Sequence, residues 1–128
     1  MLKKIKKVLK RKNKISKRAL DEKNINLEKL EKMMLNEDTI LIDVRSLQEY
    51  KEGHLEKAIS IPEYELKNRA KEELKDLNQK IILYCSTGSR SKKAKETLEK
   101  LGYKDIYNLE NGWQNYWAFK VYMLKLSY

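Results

Sequence analysis

From about residue 21 onward, short apolar runs alternate with stretches of helical periodicity, and this alternation limits the folds open to the chain more than anything else in the sequence. The runs "NEDTILIDV" (36–44), "AISIP" (58–62), "KIILY" (80–84) and "KDIYNL" (104–109) are short and rich in β-branched residues, which suits buried strands. Between them lie helical patterns. "INLEKLEKMM" spaces Leu27, Leu30, Met33 and Met34 along one face, "EYELKNRAKEELKDL" (63–77) reads as a helix, and "SKKAKETLEKLG" turns Ala94, Leu98 and Leu101 inward with Gly102 just past its end. In "SLQEYKEGH", Ser46 caps a short helix, Glu49 follows three residues on, and Gly53 ends it. Repeated strand–helix alternation predicts an α/β fold with a parallel sheet covered on both faces, where ligands bind beyond the carboxyl ends of strands.

One such end carries chemistry. Residues 83–91, "LYCSTGSRS", place the only cysteine, Cys85, at the end of the most strand-like run. A lone cysteine after an apolar strand is inert packing more often than a nucleophile. The residues that follow reverse that reading. Thiolate is the nucleophile, and a turn of residues 86–90 around the sulfur would aim backbone N–H groups at it. A helix beginning near Arg90 or Ser91 adds the positive end of its dipole. Gly88 permits the tight curve, and Ser86, Thr87 and Ser89 leave room for an anion. Arg90 either adds charge at the rim or braces the loop against a carboxylate. Cys85 is thus the candidate nucleophile, and Ser86, Thr87, Gly88, Ser89 and Arg90 form the candidate substrate-binding loop.

The remaining polar residues near strand ends read as structural. His54, after Gly53, is a turn-fixing hydrogen-bonding residue before it is a proton shuttle. Asp43 and Arg45 flank a strand end, where an ion pair such as Arg45 with Glu49 is the default. Met33, Met34, Trp113 and Trp117 read as packing. One Cys and one His make neither an internal disulfide nor a structural zinc site, so no metal or organic cofactor is implied.

A chain of 128 residues with 41% hydrophobic content fills one core. A lone thiol suits a reducing compartment. No run of about 18 apolar residues exists to span a bilayer, and no secretory signal is legible. The expected location is cytoplasmic. The formal net charge of +10 suggests nucleic acid until its distribution is examined. Residues 1–18 hold ten Lys and Arg and no acid; taking these from the 29 basic residues leaves 19, against 19 Asp and Glu. Two parts follow: a basic N-terminal segment (1–20) and a neutral domain (21–128). In the segment, Leu2, Ile5, Val8, Leu9, Ile15, Ala19 and Leu20 share one helical arc. Such an amphipathic helix suits an anionic membrane surface, which would make the protein peripheral at the inner membrane; RNA and an acidic partner suit it equally.

The C-terminal stretch "WQNYWAFKVYMLKLSY" shows two apolar stripes. Trp113, Trp117, Val121, Leu124 and Tyr128 form one, and Tyr116, Phe119, Met123 and Leu126 form the other. One domain is expected to cover only one stripe. The other calls for the N-terminal helix, a second copy in a homodimer, or a membrane interface.

"DVRSLQEYKEGHLEKAISIP" (43–62) and "YCSTGSRSKKAKETLEKLGYKDIYNLENGWQNYW" (84–117) resemble the two signature regions of single-domain rhodanese-like sulfurtransferases, over about residues 24–117. The resemblance implies a five-stranded parallel sheet with helices on both faces. It also implies a cysteine that carries a sulfane sulfur as a persulfide, taken from thiosulfate or a persulfide donor and passed to an acceptor thiol or cyanide. The family often has glycine where this chain has Lys57 and Asn111, so different turns are expected there. Two rivals remain. Related dual-specificity phosphatases resemble the fold but place five residues between Cys and Arg, whereas here there are four, which favours sulfur over phosphate or arsenate, and the absence of a second cysteine argues against a reductase that resolves through an internal disulfide. A non-catalytic binding module with an idle cysteine is the other.

Overall fold

The computed structural model describes residues 23–127. The basic segment 1–20, and the membrane, RNA and acidic-partner roles read from it, lie outside the described residues. In chain order the elements are β1 (Asn24–Ile25), α1 (Leu27–Met34), β2 (Ile40–Asp43), α2 (Leu47–Glu52), β3 (Ile59–Ser60), α3 (Glu63–Glu73), β4 (Lys80–Tyr84), α4 (Ser89–Lys100), β5 (Asp105–Leu109) and α5 (Gly112–Leu126). The strands form one parallel sheet in the order β1-β5-β4-β2-β3. All four runs read as strands take part. The fifth strand, β1, falls where the periodicity reads as helix. Two residues carry no alternation to detect, and β1 exists because Asn24 and Ile25 pair with Asn108 and Leu109.

Both faces of the sheet are covered, and the continuous apolar runs follow from that. Along β4, Ile81 and Leu83 face α3 and α4, where Leu66, Ala70, Ala94 and Leu98 close the core. Ile82 and Tyr84 face the opposite layer with Leu30, Met33, Leu41 and Leu109. Ser46 and Glu49 form the expected capping box on α2. Lys57 (φ 68°) and Asn111 (φ 48°) both take the left-handed geometry that glycine adopts most easily.

The expectation for the C-terminal stripes needs correction. Trp113 and Tyr116, one from each stripe, pack partly against the core. From Trp117 onward no described side chain of α5 is buried, and apart from the half-buried Val121 the described residues of both stripes are exposed there. The helix meets the sheet chiefly through its first turns. Gly112 makes that approach possible, because a Cβ there would stand 2.7 Å from Tyr84 Cβ and 3.1 Å from the Cys85 carbonyl oxygen.

The carboxyl ends of β2 and β4, paired at Asp43 and Tyr84, are locked by a buried polar network. Arg45 donates to Asp43 through its backbone N–H (2.9 Å), Nε (3.1 Å to Oδ1) and Nη2 (2.7 Å to Oδ2). Arg45 Nη2 also donates to the Gly53 carbonyl at 2.6 Å. The Tyr84 hydroxyl donates to Asp43 Oδ2 at 2.7 Å and accepts the Leu55 N–H at 3.0 Å. Burial and the adjacent Asp43 carboxylate push the Tyr84 hydroxyl pKa far up, so it remains a donor. The partner of Arg45 is therefore Asp43 rather than Glu49. The pair closes at the strand end, and Gly53 and Tyr84 from neighbouring elements satisfy its remaining groups.

Tyr84→Phe should destabilise the protein by about 1–3 kcal/mol, because the buried Leu55 N–H loses its acceptor. Gly112→Ala should also cost about 1–3 kcal/mol through overpacking against backbone and Tyr84. Urea unfolding should show a lower midpoint with unchanged slope in each case.

Candidate active site

Cys85 follows the last residue of β4, beside β2. Connections leave these two strands in opposite directions, β2 to β3 and β4 to β5, so the crevice lies where parallel α/β sheets bind ligands. The cysteine is 1% exposed. Gly88 takes φ 116° and ψ −14° and caps α4. Its left-handed turn ends the wrap early, so the helix begins at Ser89, ahead of the Arg90 or Ser91 expected.

This changes which amides face the sulfur. Among the described residues, Cys85 Sγ accepts hydrogen bonds from the N–H of Gly88 at 3.0 Å and of Ser91 at 3.4 Å. The expected ring of amides from 86 to 90 is thus reduced to Gly88 and joined by Ser91. Ser91 is the third residue of α4, and its N–H is one of the donors a helix start leaves free. The buried Ser91 hydroxyl lies 3.4 Å from Sγ, within reach of the thiol hydrogen, and donates to the Gly88 carbonyl at 3.1 Å. Ser86 is half-buried, and Thr87 and Ser89 stand exposed at the loop surface.

Two supports hold the loop from outside. The first is α5, whose opening amides donate from Trp113 to the Cys85 carbonyl (3.0 Å) and from Gln114 to the Ser86 carbonyl (3.2 Å). The second is Arg90. Its Nη1 and Nη2 donate to Glu49 Oε1 (2.5 Å) and Oε2 (3.0 Å), tying the start of α4 to α2. Of the two orientations open to Arg90 in the sequence, the structure holds the one toward a carboxylate. The Arg90 hydrogen bonds, opposed by partial burial and aided by the Ser46 N–H, lower the Glu49 pKa to about 2. A cleft of about 300 Å³ opens beside this pair, lined by Arg45, Glu49, Glu52, Gly53, Trp113 and Trp117.

Sequence reasoning missed Ser91, the amides of Trp113 and Gln114, and the Glu49–Arg90 pair. Only Ser91 left a signal, its position in the first helical turn. The others join segments distant in sequence. His54 behaves as expected, its Nδ1 donating to the Tyr50 carbonyl at 2.9 Å and its ring stacked on Tyr50 at 3.7 Å. Trp113, besides packing, lies over the Arg45 guanidinium at 4.5 Å. Among the described residues no cluster of three or more His, Cys, Asp or Glu side chains could hold a metal. No described helix is long and apolar enough to cross a membrane.

Comparison with known proteins places this geometry. The family described as "Rhodanese-like domain" matches residues 26–119. The tRNA uridine(34) hydroxylase of Photorhabdus laumondii is 34% identical over 92 residues, 69% of this chain but 26% of that protein. The chain thus spans about a quarter of the length of that relative. Thiosulfate sulfurtransferase PspE of Escherichia coli is 39% identical over 67 residues, 52% of this chain and 64% of PspE. The human single-domain sulfurtransferase TSTD1 superposes with a TM-score of 0.69 at 22% identity, over 75% of this chain and 96% of that structure, a likeness of fold. With its five-stranded parallel sheet and the cysteine loop at the carboxyl end of β4, the chain belongs to the rhodanese-like domain family.

Proposed function

We propose that this domain moves a sulfane sulfur through a persulfide on Cys85, as a sulfurtransferase or persulfide carrier. The observation that carries the reading is the sulfur of Cys85 facing two backbone N–H donors at the start of α4. Fixed donors of this kind meet negative charge on sulfur without reorganising. In the first step the Cys85 thiolate attacks the outer sulfur of thiosulfate; a new S–S bond forms and the old one breaks, releasing sulfite with the bonding electron pair. In the second, an acceptor thiolate or cyanide attacks that outer sulfur, and the Cys85 thiolate leaves. The charges balance in both steps, and no outside oxidant or reductant is used.

The new S–S bond lengthens the side chain by about 2 Å, which carries the transferable sulfur away from a nearly inaccessible Sγ. Four residues separate Cys85 from Arg90, a tight loop that favours one sulfur atom over a phosphate or arsenate. Arg90 is engaged by Glu49, so in this reading it braces the loop rather than binding the donor. Ser86, Thr87 and Ser89 line the approach. The chain has no second cysteine to resolve the persulfide internally, so the acceptor, a low-molecular-weight thiol or a partner cysteine, comes from outside it. The name of PspE supports thiosulfate as donor. The tRNA uridine(34) hydroxylases extend far beyond the matched region, so their whole reaction is not carried over.

The burial of Cys85 favours a second reading, a binding module with an idle thiol. Mass spectrometry after exposure to thiosulfate separates the two. A gain of one sulfur atom at Cys85 supports transfer, and no gain with thiosulfate or a small persulfide leaves the binding module.

Cys85→Ser should keep the wild-type urea midpoint yet lose turnover by about a thousandfold or more, the cost of removing a covalent nucleophile. Residual turnover near wild type would remove Cys85 from the mechanism. Glu49 supplies a pH test of the brace. Its folded pKa, about 2, lies below the ordinary 4.5, so its contribution to stability is full above 4.5 and fades as pH falls toward 2. Glu49→Gln should therefore unfold at lower urea than wild type at pH 7, with the gap narrowing on acidification below about pH 4.5. A gap independent of pH over that window would show that the carboxylate charge is not what holds Arg90.

A further inference from the structure

Where α1 and α5 cover the sheet, they leave a groove of about 470 Å³. Its floor is made by the buried Leu30, Leu41 and Leu55. On its walls stand Leu35, 84% exposed, and Phe119, 51% exposed. A continuous apolar strip of this kind marks a surface that something covers. Its rim is acidic. Glu28, Glu31 and Glu56 lie along it beside a single Lys57, and Glu31 and Glu56 have no ion-pair partner among the described residues.

We propose that residues 1–20 of the same chain occupy this groove as an amphipathic helix, with the apolar arc of Leu2, Ile5, Val8 and Leu9 on the floor and the lysines toward the acidic rim. Three facts favour this occupant over a second copy or a membrane. Residues 1–18 carry ten basic side chains and no acid, the complement of the rim. The arc supplies aliphatic side chains to a leucine-rich floor. The tether is short: Lys23 leads into β1, and the groove wall begins at Leu27. So short a connection makes docking intramolecular, at an effective concentration in the millimolar range. An 18-residue helix measures about 27 Å, enough to run along a groove bounded by helices of 8 and 15 residues. The docked segment would rest on the helix whose first amides hold the Cys85 and Ser86 carbonyls. This inference does not depend on sulfur transfer.

Hydroxyl-radical footprinting of the full-length protein, read by mass spectrometry at Met34, Leu35 and Phe119, tests it. These side chains should be protected in the wild type. Their labelling should rise severalfold in the full-length Ile5→Asp, Leu9→Asp variant, while exposed Tyr64, remote from the groove, stays constant as a control for folding. A second full-length variant, Glu28→Lys, Glu31→Lys, Glu56→Lys, should lose protection too, most at low salt. Equal labelling in wild type and both variants would overturn the proposal. So would protection that appears only with rising concentration and a doubled sedimentation mass, which assigns the groove to a second copy. Protection that appears only when phosphatidylglycerol vesicles are added would assign it to a membrane and overturn the proposal equally.

Discussion

The Asp43–Arg45 pair, with Tyr84 and Gly53 completing its hydrogen bonds, is the interaction on which the site most depends. Burying two opposite charges is costly unless their remaining donors and acceptors are satisfied. Here the carboxylate receives the Arg45 backbone, the guanidinium and a tyrosine hydroxyl, while the guanidinium reaches a carbonyl and an indole face. The network gives specificity of position more than net stability. It fixes the ends of β2 and β4, the residue that ends α2, and the first turn of α5 in one arrangement. Cys85 is the next residue after Tyr84, so the candidate nucleophile inherits that placement.

The hydrogen bonds that the Cys85 sulfur accepts come from the backbone. Gly88 turns the chain left-handed so that its own N–H and that of Ser91 converge on Sγ. Peptide N–H groups held in this way need no rotamer ordering when charge develops. The one arginine of the loop, Arg90, is paired with Glu49 and so ties α4 to α2. Glu49 thereby serves three donors, Ser46 N–H, Ser46 hydroxyl and the guanidinium. This explains why so short a helix as α2 holds its place with no buried residue of its own.

The helix α5 has two unlike halves. Its first turns clamp the Cys85 loop through amides and fill the space beside Tyr84, where only glycine fits at position 112. Its later turns carry exposed Trp117, Tyr122, Met123, Leu124 and Leu126. Their apolar pattern belongs to exposed surface and not to the core.

Much of this was legible in the chain itself. Four of the five strands, the capping box of Ser46 and Glu49, the turn at Gly88 and the strand-end position of Cys85 follow from local rules: β-branched apolar runs, a side chain returning to a free amide, a residue without Cβ where φ is positive. These depend on neighbours within a few residues, which is the range over which a sequence states its preferences. What the tertiary structure alone decided involves longer range. The strand β1 exists only through pairing with β5, Arg90 chose Glu49 across 41 residues, and the Trp113 and Gln114 amides found the loop carbonyls. Sequence pattern made Arg45 a candidate for Glu49, but the sheet register placed Tyr84 beside Asp43 and made that carboxylate the better-satisfied partner. Periodicity records which face of an element is apolar, whereas the packing of distant elements determines which donors and acceptors can reach each other, and hence where the charges of this site reside.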